Sequence, residues 1–170
     1  MPEIEYVEDS MESEELLERL CPPVRNWFKD KFPDFTEPQK VAIPRILNGE
    51  HLLLCSPTGS GKTLTAFLTI IDDLVRRSLD GSLPDAVQCV YISPIKALAN
   101  DIEKNLLGPL GEIKERYLPS RAKEIKVGLR TGDTPQSERE KMLRKPPHIL
   151  ITTPESMGLG LASKLSLIHI

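Results

Sequence analysis

Apolar positions along this chain follow first a helical period and then an alternation of helical and strand-like runs. Residues 1–12 show no apolar periodicity and are expected to be irregular. From Ser13, a residue suited to capping a helix, Leu16, Leu17 and Leu20 fall on one face that ends before Pro22-Pro23. Pro23 can open a second helix through Lys31, with Val24, Trp27 and Phe28 on one side. Thr36 is placed to cap a third helix beginning Glu37-Pro38-Gln39 and closed by Asn48-Gly49. Val41, Ile43, Ile46 and Leu47 form its apolar face, and Pro44 should kink it.

After His51 the pattern changes. Strands are expected at about 51–56, 86–93, 124–130 and 148–153, and helices at about 62–79, 95–118, 134–144 and 154–164. Gly108-Pro109 should break the long third pattern. Strands alternating with helices predict an α/β fold: a parallel sheet flanked by helices, with ligands at the C-terminal ends of the strands. That topology gathers Ser56–Thr63, Ser93–Ala97, Thr131–Asp133 and Thr153–Ser156 on one edge.

The first of these loops carries the most specific chemistry. Ser56-Pro57-Thr58-Gly59-Ser60-Gly61-Lys62-Thr63 lies between an apolar run and a helix start, as a triphosphate-binding loop requires. Its glycines let backbone N–H groups converge on phosphate oxygens, where the helix dipole adds a favourable field. Lys62 would reach the β/γ-phosphates and the Thr63 hydroxyl would hold Mg²⁺. Ser56 replaces the usual first glycine, which a small residue can do.

The other loops are less distinctive. Gln39 offers an amide that can pair with adenine, although a solvated glutamine at a helix start fits the same position. Phe28, Phe32 and Phe35 could stack on a base or pack beneath the helix. Pro94 and Lys96 in Tyr91–Leu98, and Arg130, Thr131 and Gly132 in Arg130–Thr134, supply short donors and positive charge suited to a phosphate; ordinary strand-to-helix turns look alike. Arg130 could instead pair with Asp133. Thr153, Pro154 and Glu155 read equally as a capped helix start.

Composition changes the picture only through its distribution. The net charge is −3, but the first 20 residues hold eight acids and one base. The remaining body is therefore mildly basic, which permits nucleic-acid binding without demanding it. The arm is expected to be a solvated lead-in. Cys21, Cys55 and Cys89 show no metal-ligand pairing, and the two in strand patterns should be small buried hydrophobes. With no apolar run of membrane-spanning length and no signal peptide, a cytoplasmic location is expected.

Taken in order, Gln39, Ser56–Thr63, Ser93–Leu98, Arg130–Thr134 and Thr152–Ser156 resemble motifs Q, I, Ia and Ib/Ic of superfamily 2 helicases. Tyr91–Asp101 and Lys145–Ser156 are most similar to the large-helicase-related (Lhr) group in an archaeal-looking form. The resemblance implies a P-loop NTPase of RecA-like fold, part of a protein with two such domains that close on ATP and move 3′ to 5′ along single-stranded nucleic acid, unwinding DNA or RNA–DNA duplexes. The partner expected from it is single-stranded DNA or an RNA–DNA duplex. It implies that Gln39 reads adenine, that Thr58–Thr63 hold ATP and Mg²⁺, and that the Ia- and Ib-like residues grip strand phosphates.

The family's Asp-Glu-x-His does not follow Ser156, and the second domain with its arginine finger is absent from these 170 residues. The expected organisation is an acidic lead-in with a short helix (1–21), an incomplete first helicase domain that binds ATP (22–164) and a non-native tail (165–170). Such a chain should hydrolyse ATP poorly and, with apolar sheet surface uncovered, be poorly soluble or molten. A different phosphate-loop enzyme, such as a small-molecule kinase or GTPase, fits the first loop alone. A truncated paralogue that binds without turnover fits all of them.

Overall fold

Three short strands and seven α-helices form among residues 6–94 and 102–162, which are those that the computed structural model describes. The chain divides into two compact units, Met1–Arg76 with Lys104–Ser120, and Arg77–Glu103 with Arg121–Ile170.

The first unit is helical: α1 (Ser13–Arg19), α2 (Pro22–Lys31), α3 (Glu37–Leu47), most of α4 (Lys62–Asp80) and α5 (Gly108–Tyr117). α1 packs on α3 and α2 on α5. As the periodicity predicts, α2 buries Val24, Trp27 and Phe28. Its polar edge is fastened to α5 by Glu112, which accepts from Trp27 Nε1 at 2.6 Å and from Lys31 Nζ at 2.7 Å. The Lys31 and Trp27 hydrogen bonds hold the Glu112 carboxyl below the usual carboxylate range. Ser13 does not cap α1. Glu12 occupies that position, and the Ser13 hydroxyl donates instead to Asp34. Nor is the acidic lead-in merely solvated, because α1 buries Leu16 and the chain then buries Leu20 and Cys21.

α3 runs through Pro44, and its buried residues are Gln39, Ala42 and Ile43, so the apolar face is rotated from the one expected. The break expected at Gly108-Pro109 takes the form of a change of helix type rather than an end to the helical run. Pro109 has no N–H to give the carbonyl four residues back, and the chain absorbs that loss in a π-helical turn, Glu103–Leu107, before α5 begins.

Buried polar contacts tie the start of α2 to α4. Asp72, fully buried, accepts from the Cys21 N–H at 2.6 Å and from Arg76 Nε at 2.7 Å. Burial, with the Asp72 charge adding to it, pushes the Cys21 thiol up to about 12, so this cysteine is an inert hydrophobe.

The second unit carries the sheet: β1 (Cys89–Ile92), β2 (Val127–Arg130) and β3 (Ile149–Thr152), all parallel in the order β1-β3-β2. β3 is central and wholly buried, which is why it reads as a continuous apolar run. α6 (Gln136–Arg144) precedes it and α7 (Pro154–Ala162) follows it. Each strand is shorter than the apolar pattern suggests.

The strand expected at 51–56 is not formed. A strand persists only when its backbone is hydrogen-bonded to a neighbour, and among the described residues no ladder pairs with this segment. Leu53 is consequently 86% exposed, and Cys55 is exposed rather than buried. Cys89 is half-buried, and burial lifts its thiol to about 11. Among the described residues no helix is long and apolar enough to cross a membrane.

At the N-terminal side of β3, His148 is fully buried and its Nδ1 accepts the Lys126 N–H at 2.9 Å. Only the imidazole with an unprotonated Nδ1 can do this. Burial first, then the Lys123 and Lys126 charges, hold His148 below its ordinary 6.5, with Asp85 opposing them. The unfolded chain therefore binds the proton more readily than the folded one. Stability from this group is fully present above pH 6.5 and is lost as the pH falls below that value. Protection factors of the β2–β3 amides, taken against intrinsic exchange at each pH, should fall as the pH drops below 6.5, and His148→Asn, which keeps an acceptor near the Nδ1 position, should remove the dependence.

Candidate functional site

The loop Ser56–Gly61 reverses the chain before α4 by placing two glycines in the left-handed region, Gly59 at φ +82° and Gly61 at φ +87°. Other residues strain to adopt that conformation, so the loop's shape is written in the sequence. The Ser56 and Ser60 hydroxyls lie 2.6 Å apart across its base. Lys62, the first residue of α4, folds its ammonium back onto the Ser56 and Pro57 carbonyls, the latter at 2.7 Å. Thr65 closes the first turn, its N–H and hydroxyl both donating to the Gly61 carbonyl at 2.9 Å. Thr58 is exposed at the loop tip and Thr63 half-buried in the first turn of α4. A helix N-terminus, amides freed by left-handed glycines, an ammonium and a hydroxyl suit a polyphosphate and its divalent ion. Among the described residues there is no cluster of His, Cys, Asp or Glu that could bind a metal by itself.

Gln39 is not the solvated residue that its place at a helix start also allows; it is 3% exposed. Its Oε1 accepts the Thr36 N–H at 2.9 Å, and a Cβ added to Gly61 would lie 2.7 Å from its Nε2. The Thr36 hydroxyl reaches the same loop, donating to the Ser60 carbonyl at 2.9 Å. Thr36, read from the sequence only as a helix cap, thus also anchors the Ser56–Gly61 loop. The pairing joins residues 24 apart in sequence, and no local pattern announces it. Phe28 and Phe35 are buried and stacked on each other with ring centroids 4.0 Å apart, so they pack beneath the helix. Phe32 stays half-exposed.

In the second unit the three strand ends are aligned. Ile92 and Arg130 both stand opposite Thr152, so the segments starting at Ser93, Thr131 and Thr153 leave one edge together. Two bonds fix this edge: Ser93 N–H to the Thr152 carbonyl at 3.1 Å, and the Thr152 hydroxyl to the Arg130 carbonyl at 2.7 Å. Pro94 is exposed there; Lys96 lies outside the described residues.

The loop after β2 is more constrained than expected. The Thr131 N–H donates to Thr134 Oγ1 at 2.8 Å and is therefore spent within the turn. Arg130 forms no ion pair with Asp133 among the described residues. Gly132 and Asp133 are exposed at the tip. Thr153 is 1% exposed, and its Oγ1 lies 3.3 Å from the Ser156 N–H and 3.1 Å from Ser156 Oγ, so it caps α7. Of the three residues expected there, Pro154 and Glu155 are exposed and Thr153 acts on the helix.

A sequence profile of the DEAD/DEAH box helicase family matches residues 36–168. The chain is 48% identical to the ATP-dependent helicase Lhr-Core of Methanocaldococcus jannaschii, with 96% of this chain and 20% of that protein aligned. It is 54% identical to the corresponding protein of Methanothermobacter thermautotrophicus, over 85% of this chain and 17% of that one. It superposes on the structure of Mycobacterium smegmatis helicase Lhr bound to ssDNA and AMP-PNP with a TM-score of 0.74 and 45% identity, covering 87% of this chain and 18% of that one. The chain therefore spans about a fifth of the length of these relatives. The α/β, RecA-like fold class expected from the sequence is thereby established.

Proposed function

We propose, from the fact that this chain belongs to the DEAD/DEAH box helicase family, that it is the ATP-binding portion of an ATP-dependent 3′–5′ helicase of the Lhr type. The observation that carries this is the phosphate loop with its two left-handed glycines, the Lys62 ammonium folded over it and Gln39 buried against Gly61. ATP would lie with its phosphates on the amides of Thr58–Thr63 and its β/γ-oxygens on Lys62, with Mg²⁺ on the Thr63 hydroxyl. When bound, the ion neutralises charge on the triphosphate. Gln39 keeps an amide donor, and an acceptor lone pair not used by Thr36, to meet an adenine edge.

The edge at Pro94, Arg130–Gly132 and Pro154-Glu155 would run along the phosphates of single-stranded DNA or of an RNA–DNA duplex. Such contact is indifferent to sequence and sensitive to salt. The 170 residues contain no Asp-Glu-x-His to position an attacking water. The chain alone should therefore bind ATP and turn it over poorly.

Base discrimination tests the assignment. Isothermal titration should show ATP bound about tenfold or more tightly than GTP, with Gln39→Ala losing most of that ratio, since a buried site made to pair with one base edge penalises another. Equal affinities for ATP and GTP in the unaltered chain would remove Gln39 from adenine recognition.

A further inference from the structure

α6 buries none of its residues, yet one of its side chains is fully engaged. Arg139 turns back on the loop that precedes the helix. Its Nε donates to the Thr134 carbonyl at 2.8 Å, and its Nη2 to the Gly132 carbonyl at 2.8 Å and the Thr131 carbonyl at 3.3 Å. One planar guanidinium thus collects three backbone carbonyls of a four-residue turn, a task suited to a rigid fork of donors and poorly matched by a lysine.

The consequence for the rest of the loop follows from peptide geometry. In a planar trans peptide the carbonyl of one residue and the N–H of the next point in opposite directions. Turning the Thr131 and Gly132 carbonyls toward Arg139 turns the Gly132 and Asp133 N–H groups away from it. Both residues are exposed, at the end of β2, on the edge shared with Ser93 and Thr153. The Thr131 N–H to Thr134 Oγ1 bond ties the turn from inside, so the guanidinium and Thr134 brace it from two sides. Asp133 would by itself repel an anion, and the cation held behind the loop offsets that charge.

We propose that Arg139 is a positioning residue for nucleic-acid binding: it does not touch the strand but aims the Gly132 and Asp133 amides at a backbone phosphate. The proposal rests on the nucleic-acid reading of this edge given above.

The test is fluorescence anisotropy of a labelled oligothymidylate with the unaltered chain, Arg139→Ala and Arg139→Lys, over a range of salt. Arg139→Ala should weaken binding about five- to tenfold, the size of one ordinary well-made hydrogen bond. Arg139→Lys should recover part of that loss. The dependence of log affinity on log salt should keep its slope, because no phosphate-contacting cation has been removed. A slope reduced by about one would mean that Arg139 itself contacts a phosphate, and would overturn the positioning role. Binding by Arg139→Ala as tight as that of the unaltered chain would overturn it too, while leaving the nucleic-acid reading intact. Failure of the unaltered chain to bind would overturn both. Hydrogen exchange at the β3 amides separates these results from a folding defect: it should be unchanged in both variants, and loss of β3 protection in both together with lost binding would assign Arg139 a structural role instead.

Discussion

Lys62→Ala should weaken Mg·ATP binding by about a hundredfold or more and leave the helical unit folded. Among the described residues the lysine's ammonium donates to the carbonyls of Ser56 and Pro57, both in its own loop. Removing it costs the exposed Pro57 carbonyl and the half-buried Ser56 carbonyl little, since water can replace the ammonium. With a triphosphate in the loop, the same ammonium would face two phosphate groups at the positive end of α4. Charge-assisted bonds there contribute about 1.5–3 kcal/mol each, and two of them correspond to at least about two orders of magnitude in affinity. Titration calorimetry gives the binding loss. The fluorescence of Trp27, the chain's single tryptophan and 3% exposed in the helical unit, gives the unfolding midpoint, which should not move. A variant that binds Mg·ATP as the unaltered chain does would take the triphosphate away from this loop.

Asp72→Ala should show the converse, a large loss of stability by a residue remote from any ligand. Its carboxylate is the acceptor for the Cys21 N–H and for Arg76 Nε. Arg76 also donates to the Arg19 carbonyl, so one cluster holds the turn between α1 and α2 against α4. Without the carboxylate, a buried N–H loses its acceptor and a guanidinium loses its counter-charge. Arg76 is 46% exposed and regains water, which lowers the cost from that of a wholly buried pair. The expected loss is about 2–3 kcal/mol, read from the Trp27 unfolding transition in urea. Asp72→Asn keeps an oxygen for the Cys21 N–H and should cost roughly 1 kcal/mol. A midpoint unchanged in Asp72→Ala would mean that this cluster does not hold α1 and α2 to α4.

The contrast between these two residues marks what the sequence made legible. The phosphate loop is readable because its requirements are local: left-handed glycines, a lysine and a hydroxyl at fixed spacing before a helix. β3 is equally readable, since a central parallel strand is apolar on both faces and appears as an unbroken run. The segment 51–56 has the same apolar signature and is no strand here, because hydrogen-bond pairing is a property of two segments and cannot be read from one. Asp72 was hidden among the polar positions of a long amphipathic helix, where an acid four residues before an arginine normally faces water. Thr36 and Arg139 were hidden for a related reason. Each acts on backbone carbonyls of another segment, and no side-chain pattern records where carbonyls point. Gln39 is the intermediate case: its amide is visible in the sequence, but its burial against Gly61 depends on how α3 sits on the loop.

Hydrogen–deuterium exchange of the chain with and without Mg·AMP-PNP, then with and without single-stranded DNA, tests most directly whether this is a nucleotide- and strand-binding portion of a helicase. The nucleotide should slow exchange at Thr58–Thr65 and at the start of α3 around Gln39, and the DNA should slow it at Gly132-Asp133 and at the Pro154–Ser156 turn. Protection by the nucleotide that leaves residues 58–65 unprotected, or none at saturating concentration, would contradict the assignment of the site.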